Sequence, residues 1–468
     1  MDYATPTANE VLVVDLDGAL IRTDLKSEVF WSTLADRWKA LGRRTGDRRG
    51  QSRSGGLDVA SLPYKEEVVA FVRRWRQNGG RTALVTSSDQ ALAERIADHL
   101  GLFDEVHGSN DLKGSGKTAF LVDRFGGKGF AFLGGATSDR PTWEVASKSI
   151  TVDAPDSLKT HVDSIRPDAQ HLVTTHTSPG RSYLRALRPH QWLKNTLVFV
   201  PMIAGHNLTA ETFWQSLLAF VAFSLVASSV YVMNDLLDLA ADRAHPRKRN
   251  RPFAWGSIPI AHGAWLGPLL LLGGLSAAWP LGLKFALVML SYCAATLAYS
   301  LYIKRQMIAD ICTLAGLYTI RIVAGGVATG IPLSVWLLAF AIFIFFALAS
   351  VKRQAELVDS ISANAIQVGR GYQAGDLPLV ASMATSSGYV SVLVLALYVN
   401  SPDVQELYSS PSALWGICFV LLYWISRMVM VTQRGHMHDD PLVYAVKDPI
   451  SRICFLLVVA CAVGGTLI

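Results

Sequence analysis

Two unlike domains are expected from this sequence: a soluble α/β domain, then an all-α polytopic membrane domain. Three observations lead there. The 468 residues are 51% hydrophobic and only 17% charged, where a soluble chain of ordinary composition is about one quarter charged. The charge is also unevenly placed. Residues 1–190 carry 26 Lys/Arg and 24 Asp/Glu, while the longer stretch 191–468 carries 17 and 13, so the two parts suit different solvents. Finally, strand-length apolar runs fill the first part, and apolar segments of spanning length follow one another after about residue 195.

The N-terminus, Met1–Glu10, has neither a basic n-region nor an apolar h-region. No signal peptide is expected, which places the soluble domain on the cytoplasmic side. The run Val11-Leu12-Val13-Val14 reads as a buried strand ending in Asp15-Leu16-Asp17-Gly18. Two carboxylates two residues apart at the C-terminal edge of a strand are poised for a metal and a phosphoryl group.

These residues resemble the haloacid-dehalogenase-like (HAD-like) phosphatase superfamily, over about 8–155. The resemblance implies a Rossmann-like α/β fold with a small cap at about 22–63; within it, the basic Gly/Ser-rich composition from Arg43 to Gly56 leads one to expect a mobile stretch. It implies Asp15 as nucleophile and Asp17 as general acid/base, both close to a metal. Ala83-Leu84-Val85-Thr86 becomes a second strand with Thr86 as phosphate ligand. Lys113 becomes the phosphate-stabilising lysine, with Lys117 the alternative. Phe130–Leu133 becomes a further strand, followed by Asp139 as the late metal ligand. Two positions depart from the pattern: Ala19 stands where Thr is usual, and Gly135 where many members carry a metal-side Asp.

Residues 156–187, rich in Pro, Ser, Thr and His with little periodicity, read as a linker, and the membrane domain is expected over 188–468. Nine spans are expected, near 195–206, 211–233, 262–281, 284–302, 310–330, 333–351, 378–399, 411–432 and 449–468. With the N-terminus inside, Arg243, Arg247, Lys248, Arg249, Arg251, Lys304, Arg305, Lys352, Arg353, Arg370, Arg434 and Lys447 fall in cytoplasmic loops, and only Lys284 falls outside. Cys293, Cys312, Cys418, Cys454 and Cys461 all lie in apolar stretches without metal-ligand spacing, so they read as small buried hydrophobes.

The acids sit on the same face as the basic loops. In Asn234-Asp235-Leu236-Leu237-Asp238-Leu239-Ala240-Ala241-Asp242, spacings of three and four put Asn234, Asp235, Asp238 and Asp242 on one helical face. Three carboxylates that close repel unless a cation sits among them. Mg2+ prefers oxygen ligands and bridges carboxylates to diphosphates. The following His245–Pro252 string divides between membrane anchoring and phosphate binding. A second cluster holds Tyr299, Ser300, Lys304 and Asp310, and a third holds Lys352, Arg353, Glu356 and Gly369-Arg370-Gly371-Tyr372. Arg321 lies well inside a span and is expected to face a polar cavity or a carboxylate.

These residues resemble the UbiA-type intramembrane prenyltransferases, over about 191–468. The Asn234–Asp242 string matches the first aspartate-rich motif of that superfamily. The second motif is incomplete, since Leu314 stands where an aspartate would follow Asp310. Arg188-Pro189-His190-Gln191-Trp192-Leu193-Lys194-Asn195, Lys352–Leu357 and Gly369–Tyr372 look like the decaprenyl-phosphate phosphoribosyltransferase branch. That branch implies a polyprenyl monophosphate acceptor and a 5-phosphoribosyl 1-diphosphate donor. Asp235, Asp238, Asp242 and Asp310 would hold Mg2+ and the leaving diphosphate. Lys194, Lys248, Arg249, Lys304, Lys352, Arg353 and Arg370 are the basic candidates for the donor and acceptor phosphates, undivided between the two, and Asn195, Asn234 and Tyr299 are further substrate-binding candidates. Glu356 would bind ribose hydroxyls or Mg2+, or pair with Lys352.

The fusion then suggests consecutive steps in cell-wall lipid synthesis at the inner membrane. The membrane domain would make decaprenylphosphoryl-5-phosphoribose, and the HAD-like domain would remove its 5-phosphate. No nucleic-acid partner is expected, and self-association is left open. Two other readings remain at this stage: a prenyltransferase acting on an aromatic acceptor beside a regulatory HAD-like domain, and a channel or transporter.

Overall fold

Each of the five connections between the six strands of the soluble half contains a helix, so the sheet that results is parallel throughout. The computed structural model describes residue 6 and residues 10–41, 57–174, 178–362, 371–437 and 440–467. The strands are β1 (Val11–Asp15), β2 (Arg81–Thr86), β3 (Glu105–Gly108), β4 (Phe130–Gly134), β5 (Lys148–Val152) and β6 (Gln170–Leu172). Their order is β3-β2-β1-β4-β5-β6. Every residue of β1 is buried. Leu12 and Val14 enter one apolar cluster with Phe71, Val72 and Trp75, and Val11 and Val13 enter another with Phe130, Phe132 and Trp143. A strand covered on both faces needs the continuous apolar run seen in the sequence. The chain moves outward from β1 through β2 to β3, then returns to the other side of β1 with β4. That reversal opens a crevice at the carboxyl ends of the central strands, where Asp15, Asp17 and Thr86 sit.

The segment 156–187, expected as a linker, instead forms the helix Asp156–Ile165, the edge strand β6 and the helix Pro179–Leu187. Leu158 and Val162 are the reason: four residues apart, they bury one helix face. The cap region closes on itself through an antiparallel bridge between Ile21 and Tyr64 and contains the helix Leu25–Leu41. Its basic stretch from Arg43 to Gly56 lies outside the described residues.

A buried ion pair ties the cap junction to the sheet. Lys65 Nζ lies 2.8 Å from Asp153 Oδ2 and donates to the Gly18 carbonyl at 2.6 Å. Thr174 donates to Asp153 from both its backbone N–H and its hydroxyl. Burial works the other way, yet Lys65 and Thr174 hold the Asp153 carboxyl well below the usual carboxylate range. A depressed carboxylate stabilises the fold above the ordinary carboxylate range near 3.8, and that contribution is lost as the pH falls through the folded-state value. Asp153→Asn is therefore expected to destabilise the soluble domain by about 2 kcal/mol at neutral pH. Thermal melts should show the difference shrinking on acidification.

By contact density the chain divides into two units, Met1–Leu187 with Tyr231–Gly267, and Arg188–Val230 with Pro268–Ile468. The expected boundary at 188 thus misses a segment, since 231–267 clusters with the soluble part.

The second unit is helical. Among the described residues, seven stretches are long and apolar enough to cross a membrane: Ala210–Leu237, Ile260–Leu301, Ala309–Thr329, Val335–Ser362, Ala374–Val399, Pro411–Gln433 and Pro449–Thr466. The protein is thus an integral membrane protein. The 42-residue stretch Ile260–Leu301 comprises two helices, Ile260–Ala278 and Gly282–Leu301, joined by the turn Trp279–Leu281. The first expected span, 195–206, is not among these stretches. It forms the 3-10 segment Pro189–Phe199 and the five-residue helix Val200–Ala204. Pro201 removes a helix donor. The Val198 carbonyl packs so closely on Gly325 that a Cβ there would lie 2.1 Å from its oxygen.

Candidate active sites

The first site is built on the carboxyl end of β1. Asp15 ends the strand, and its Oδ1 accepts from Leu16 N at 3.0 Å. Asp17 lies in the loop, where Oδ1 accepts from Leu25 N at 2.8 Å and Oδ2 faces the Thr86 hydroxyl at 3.5 Å. The structure brings these three residues to the same end of the sheet. The lysine is Lys117, not Lys113. Lys117 Nζ lies 2.9 Å from Asp15 Oδ2 and 2.9 Å from Asp139 Oδ1, while Lys113 is exposed one turn earlier. The helix Ser115–Phe125 decides between them, since it turns Lys117 inward beside buried Leu121.

Burial pushes the Asp15 carboxyl up to about 7 against the pull of Lys117, with Asp139 adding to the rise. Burial raises Asp17 as well. Burial works against the Lys117 ammonium, yet Asp15 and Asp139 hold it above its ordinary value. Lys117→Ala is expected to cut phosphate-ester hydrolysis by about 10^2-fold or more, and Lys113→Ala to leave it within about two-fold. Release of inorganic phosphate from a small phosphate ester measures both.

Asp139, expected as a metal ligand, anchors Lys117 instead, and its Oδ2 accepts from Ala136 N at 3.1 Å. A Cβ on Gly135 would lie 2.9 Å from the Val152 carbonyl oxygen and 3.2 Å from that of Gly18, so the backbone as folded leaves no room for an aspartate there. Among the described residues, no group of three or more His, Cys, Asp or Glu side chains is arranged to hold a metal ion. The soluble site therefore does not fit a three-carboxylate metal centre.

The aspartate-rich string straddles the end of the helix Ala210–Leu237, with Asn234 and Asp235 in its last turn. Asp238 is the junction to a short helix, Leu239–Ala244. The bonds Asp238 N to Asn234 O (2.9 Å) and Asp242 N to Asp238 O (2.8 Å) carry the helical path across the break. Asp235 and Asp242 are each 2% exposed. The cation between them is Arg251, whose Nη1 lies 3.1 Å from Asp235 Oδ1 and 2.6 Å from Asp242 Oδ2. The sequence showed Arg251 only as one cation in a basic loop; the fold-back at Pro252–Trp255 gives it this place. Burial raises the Asp242 carboxyl against the pull of Arg251. Asn234 and Asp238 are half-buried, and Lys248 and Arg249 are exposed on the turn Lys248–Asn250.

In the second unit the structure joins two clusters that the sequence kept apart. Asp310, fully buried, accepts from the Tyr372 hydroxyl at 2.6 Å and pairs with Arg353. Arg353 also pairs with Glu356 and donates to the Tyr299 hydroxyl at 3.0 Å. Asp310 thus faces an arginine where a metal was expected. Arg353, 1% exposed, is neutralised by two carboxylates where a substrate phosphate was expected. Glu356 pairs with Arg353. Leu314, at the position of the absent second aspartate, packs with Ile311, Ala349 and Leu357.

Beside this lies a lysine pair. Lys194 Nζ is 2.7 Å and Lys352 Nζ 3.1 Å from Asp440 Oδ2. The Tyr318 hydroxyl lies 3.4 Å from the same oxygen. Burial works the other way, yet Lys352 and Lys194 hold Asp440 well below the usual carboxylate range. Sequence reasoning missed Asp440, because an acid before Pro441 looks like an ordinary helix cap, which it also is. Asn195, fully buried, donates to Ser224 Oγ at 3.1 Å and accepts from Arg321 Nε at 2.8 Å. Among the described residues the partners of Arg321 are neutral. They are Asn195, the Tyr292 hydroxyl, the Leu317 carbonyl and the faces of Phe223, Tyr292 and Tyr318, where a polar cavity or a carboxylate was expected. Lys304 is half-buried on the turn Ile303–Arg305, and Arg370 lies outside the described residues.

Comparison with known proteins gives two families. The UbiA prenyltransferase family matches residues 196–444 and haloacid dehalogenase-like hydrolases match residues 16–129. The uncharacterized protein y4nM of Sinorhizobium fredii is 34% identical over 94% of this chain and 88% of its own length, so its match spans both domains. Nodulation protein NoeC of Azorhizobium caulinodans is 39% identical over 59% of this chain and 91% of its own. Decaprenyl-phosphate phosphoribosyltransferase of Mycolicibacterium smegmatis is 33% identical over 58% of this chain and 88% of its own.

Proposed function

This chain belongs to the UbiA prenyltransferase family, with a haloacid dehalogenase-like hydrolase domain ahead of the transferase domain, and from that premise we propose that it transfers 5-phosphoribose from 5-phosphoribosyl 1-diphosphate to a polyprenyl phosphate such as decaprenyl phosphate. The observation that carries this reading is the meeting of buried Asp235 and Asp242 on one cation at the end of a membrane-spanning helix. The name of the mycobacterial relative supports the choice of donor and acceptor.

As folded, Arg251 rather than a metal ion stands between Asp235 and Asp242, so the aspartate string would take up Mg2+ only with the Arg251 side chain, 27% exposed, turned away. Asp235, Asp238 and Asp242 would hold the ion, which would stabilise charge on the oxygens of the departing diphosphate. The acceptor phosphate is already an anion at neutral pH, so its oxygen can attack ribose C1 without a strong base. The C1–O bond to diphosphate breaks as the new one forms, and the protein's main task is positioning. Lys194 and Lys352 present two ammonium groups against the single carboxylate of Asp440, leaving net positive charge for a substrate phosphate. Lys248, Arg249, Lys304 and Arg370 are further cations for the phosphates, and Asn195, Asn234 and Tyr299 polar contacts. The reading places the protein in the inner membrane with its active sites on the cytoplasmic side, where the basic loops lie.

For the soluble domain the proposal is removal of the 5-phosphate of the lipid product. The Asp15 carboxylate attacks phosphorus and the sugar oxygen leaves with a proton from Asp17. Water, deprotonated by Asp17, then releases phosphate from Asp15. Lys117 balances the charge, and the raised Asp17 carboxyl suits a group that carries a proton. Incubating the purified chain with phosphoribosyl diphosphate, decaprenyl phosphate and Mg2+ tests both halves. Mass measurement of the lipid should show a ribosyl product and, when Asp15 is Asn, its 5-phosphorylated form. No phosphoribosyl lipid of either kind would reject the transferase reading.

A further inference from the structure

The helix that carries Asp242 is held by a buried contact with the hydrolase domain. Leu239–Ala244 has only six residues, too few to be stable alone. Asp242, near its end, turns to Arg251, and the next residue, Arg243, turns the other way. Arg243 Nη2 lies 2.6 Å from Glu28 Oε1 and Nη1 3.1 Å from Glu28 Oε2, a two-pronged pair. Its Nε donates to the Ala254 carbonyl at 2.9 Å. The side chains are 7% and 2% exposed. Glu28 lies in the first turn of the helix Leu25–Leu41, and its Oε1 also accepts from Thr23 Oγ1 at 2.7 Å. The same turn returns Leu25 N to Asp17, so the contact lies beside the hydrolase site.

Two further anchors hold the loop. The Arg22 guanidinium stacks 4.9 Å from the centre of the Trp255 ring. Gly256, at φ +79°, lies so close that a Cβ would be 2.5 Å from Arg22 Cβ. The Tyr183 hydroxyl meets His262 Nδ1 at 2.5 Å. A carboxylate as buried as Glu28 is costly without a fixed cation, and its cation comes from 215 residues along the chain. Arg243 meanwhile fixes Ala254, and with it the turn that leads from Arg251.

We infer that Glu28 is a positioning residue for the transferase: through Arg243 it sets the aspartate-bearing loop, so that the donor-diphosphate site of this fused chain is completed by its hydrolase domain. The inference rests on the proposed phosphoribosyl transfer for its kinetic readout, and a second readout is independent of it. In the full-length protein, Glu28→Gln is expected to raise the KM for phosphoribosyl diphosphate about ten-fold or more, with kcat changed much less. The charge-reversed pair Glu28→Arg with Arg243→Glu should recover most of that loss. Hydrogen exchange of the amides of residues 239–256 should rise in Glu28→Gln and fall back in the reversed pair. An unchanged KM in an active Glu28→Gln enzyme overturns the inference. So does unchanged exchange at 239–256. A wild-type protein that transfers no phosphoribose, yet loses protection in this loop on Glu28→Gln, overturns the substrate reading and keeps the docking. A KM still raised in the reversed pair although exchange at 239–256 is restored shows that the order of this loop does not set donor binding, and overturns the positioning role.

Discussion

Asp235→Ala is expected to lower phosphoribosyl transfer by about 10^3-fold or more, the loss that follows when charge on a leaving diphosphate is no longer stabilised. Asp235 is 2% exposed and shares Arg251 with Asp242. Its removal leaves one carboxylate against the guanidinium, which then has no competing partner and blocks the place a cation would take. The fold should survive, because Asp242 still neutralises Arg251 and the apolar run of Ala210–Leu237 is untouched. Lipid-product mass measurement together with a thermal melt separates lost chemistry from lost folding. Transfer within ten-fold of wild type in a folded Asp235→Ala protein would remove the aspartate string from the mechanism.

Asp15→Asn is expected to abolish phosphate release, by at least about 10^3-fold, since an amide cannot form the acyl phosphate. Transfer should be unaffected. The wild-type reaction should also depend on pH in a defined direction. The proposed nucleophile is the Asp15 carboxylate, and burial lifts its value to about 7. The rate with limiting phosphate ester should therefore climb as the pH rises from 6 to 8. Lys117→Met removes the group that pulls Asp15 down, so the climb should move to higher pH in that variant. A flat profile through neutrality would show that Asp15 is not the titrating nucleophile.

The division into a soluble sheet domain and a membrane helical domain was legible because each solvent imposes its own composition. β1 was legible for the same reason, since both its faces are covered. The helix-turn details were not. On paper Lys113 comes first and Lys117 is the alternative, and only the start of the helix Ser115–Phe125 turns Lys117 inward. The segment 156–187 looked like a linker because its apolar residues are few. Two of them, Leu158 and Val162, are enough to dock a helix once the sheet exists. The segment 195–206 looked like a span because hydropathy takes no account of Pro201 or of a glycine on a distant helix.

The sequence alone determined which residues carry charge inside an apolar domain. Burying a charge is costly, so each one retained there has a partner. On that basis Asp235, Asp242, Asp310, Lys194, Lys352, Arg353 and Arg321 could all be singled out. Only the tertiary structure decided who pairs with whom: Asp310 with Arg353, Lys194 and Lys352 with Asp440, Arg251 with two aspartates, Arg243 with Glu28. The physical reason is distance along the chain. Periodicity reports neighbours three and four residues apart, whereas these pairs join residues on separate elements, some more than 200 positions apart, whose meeting is set by packing.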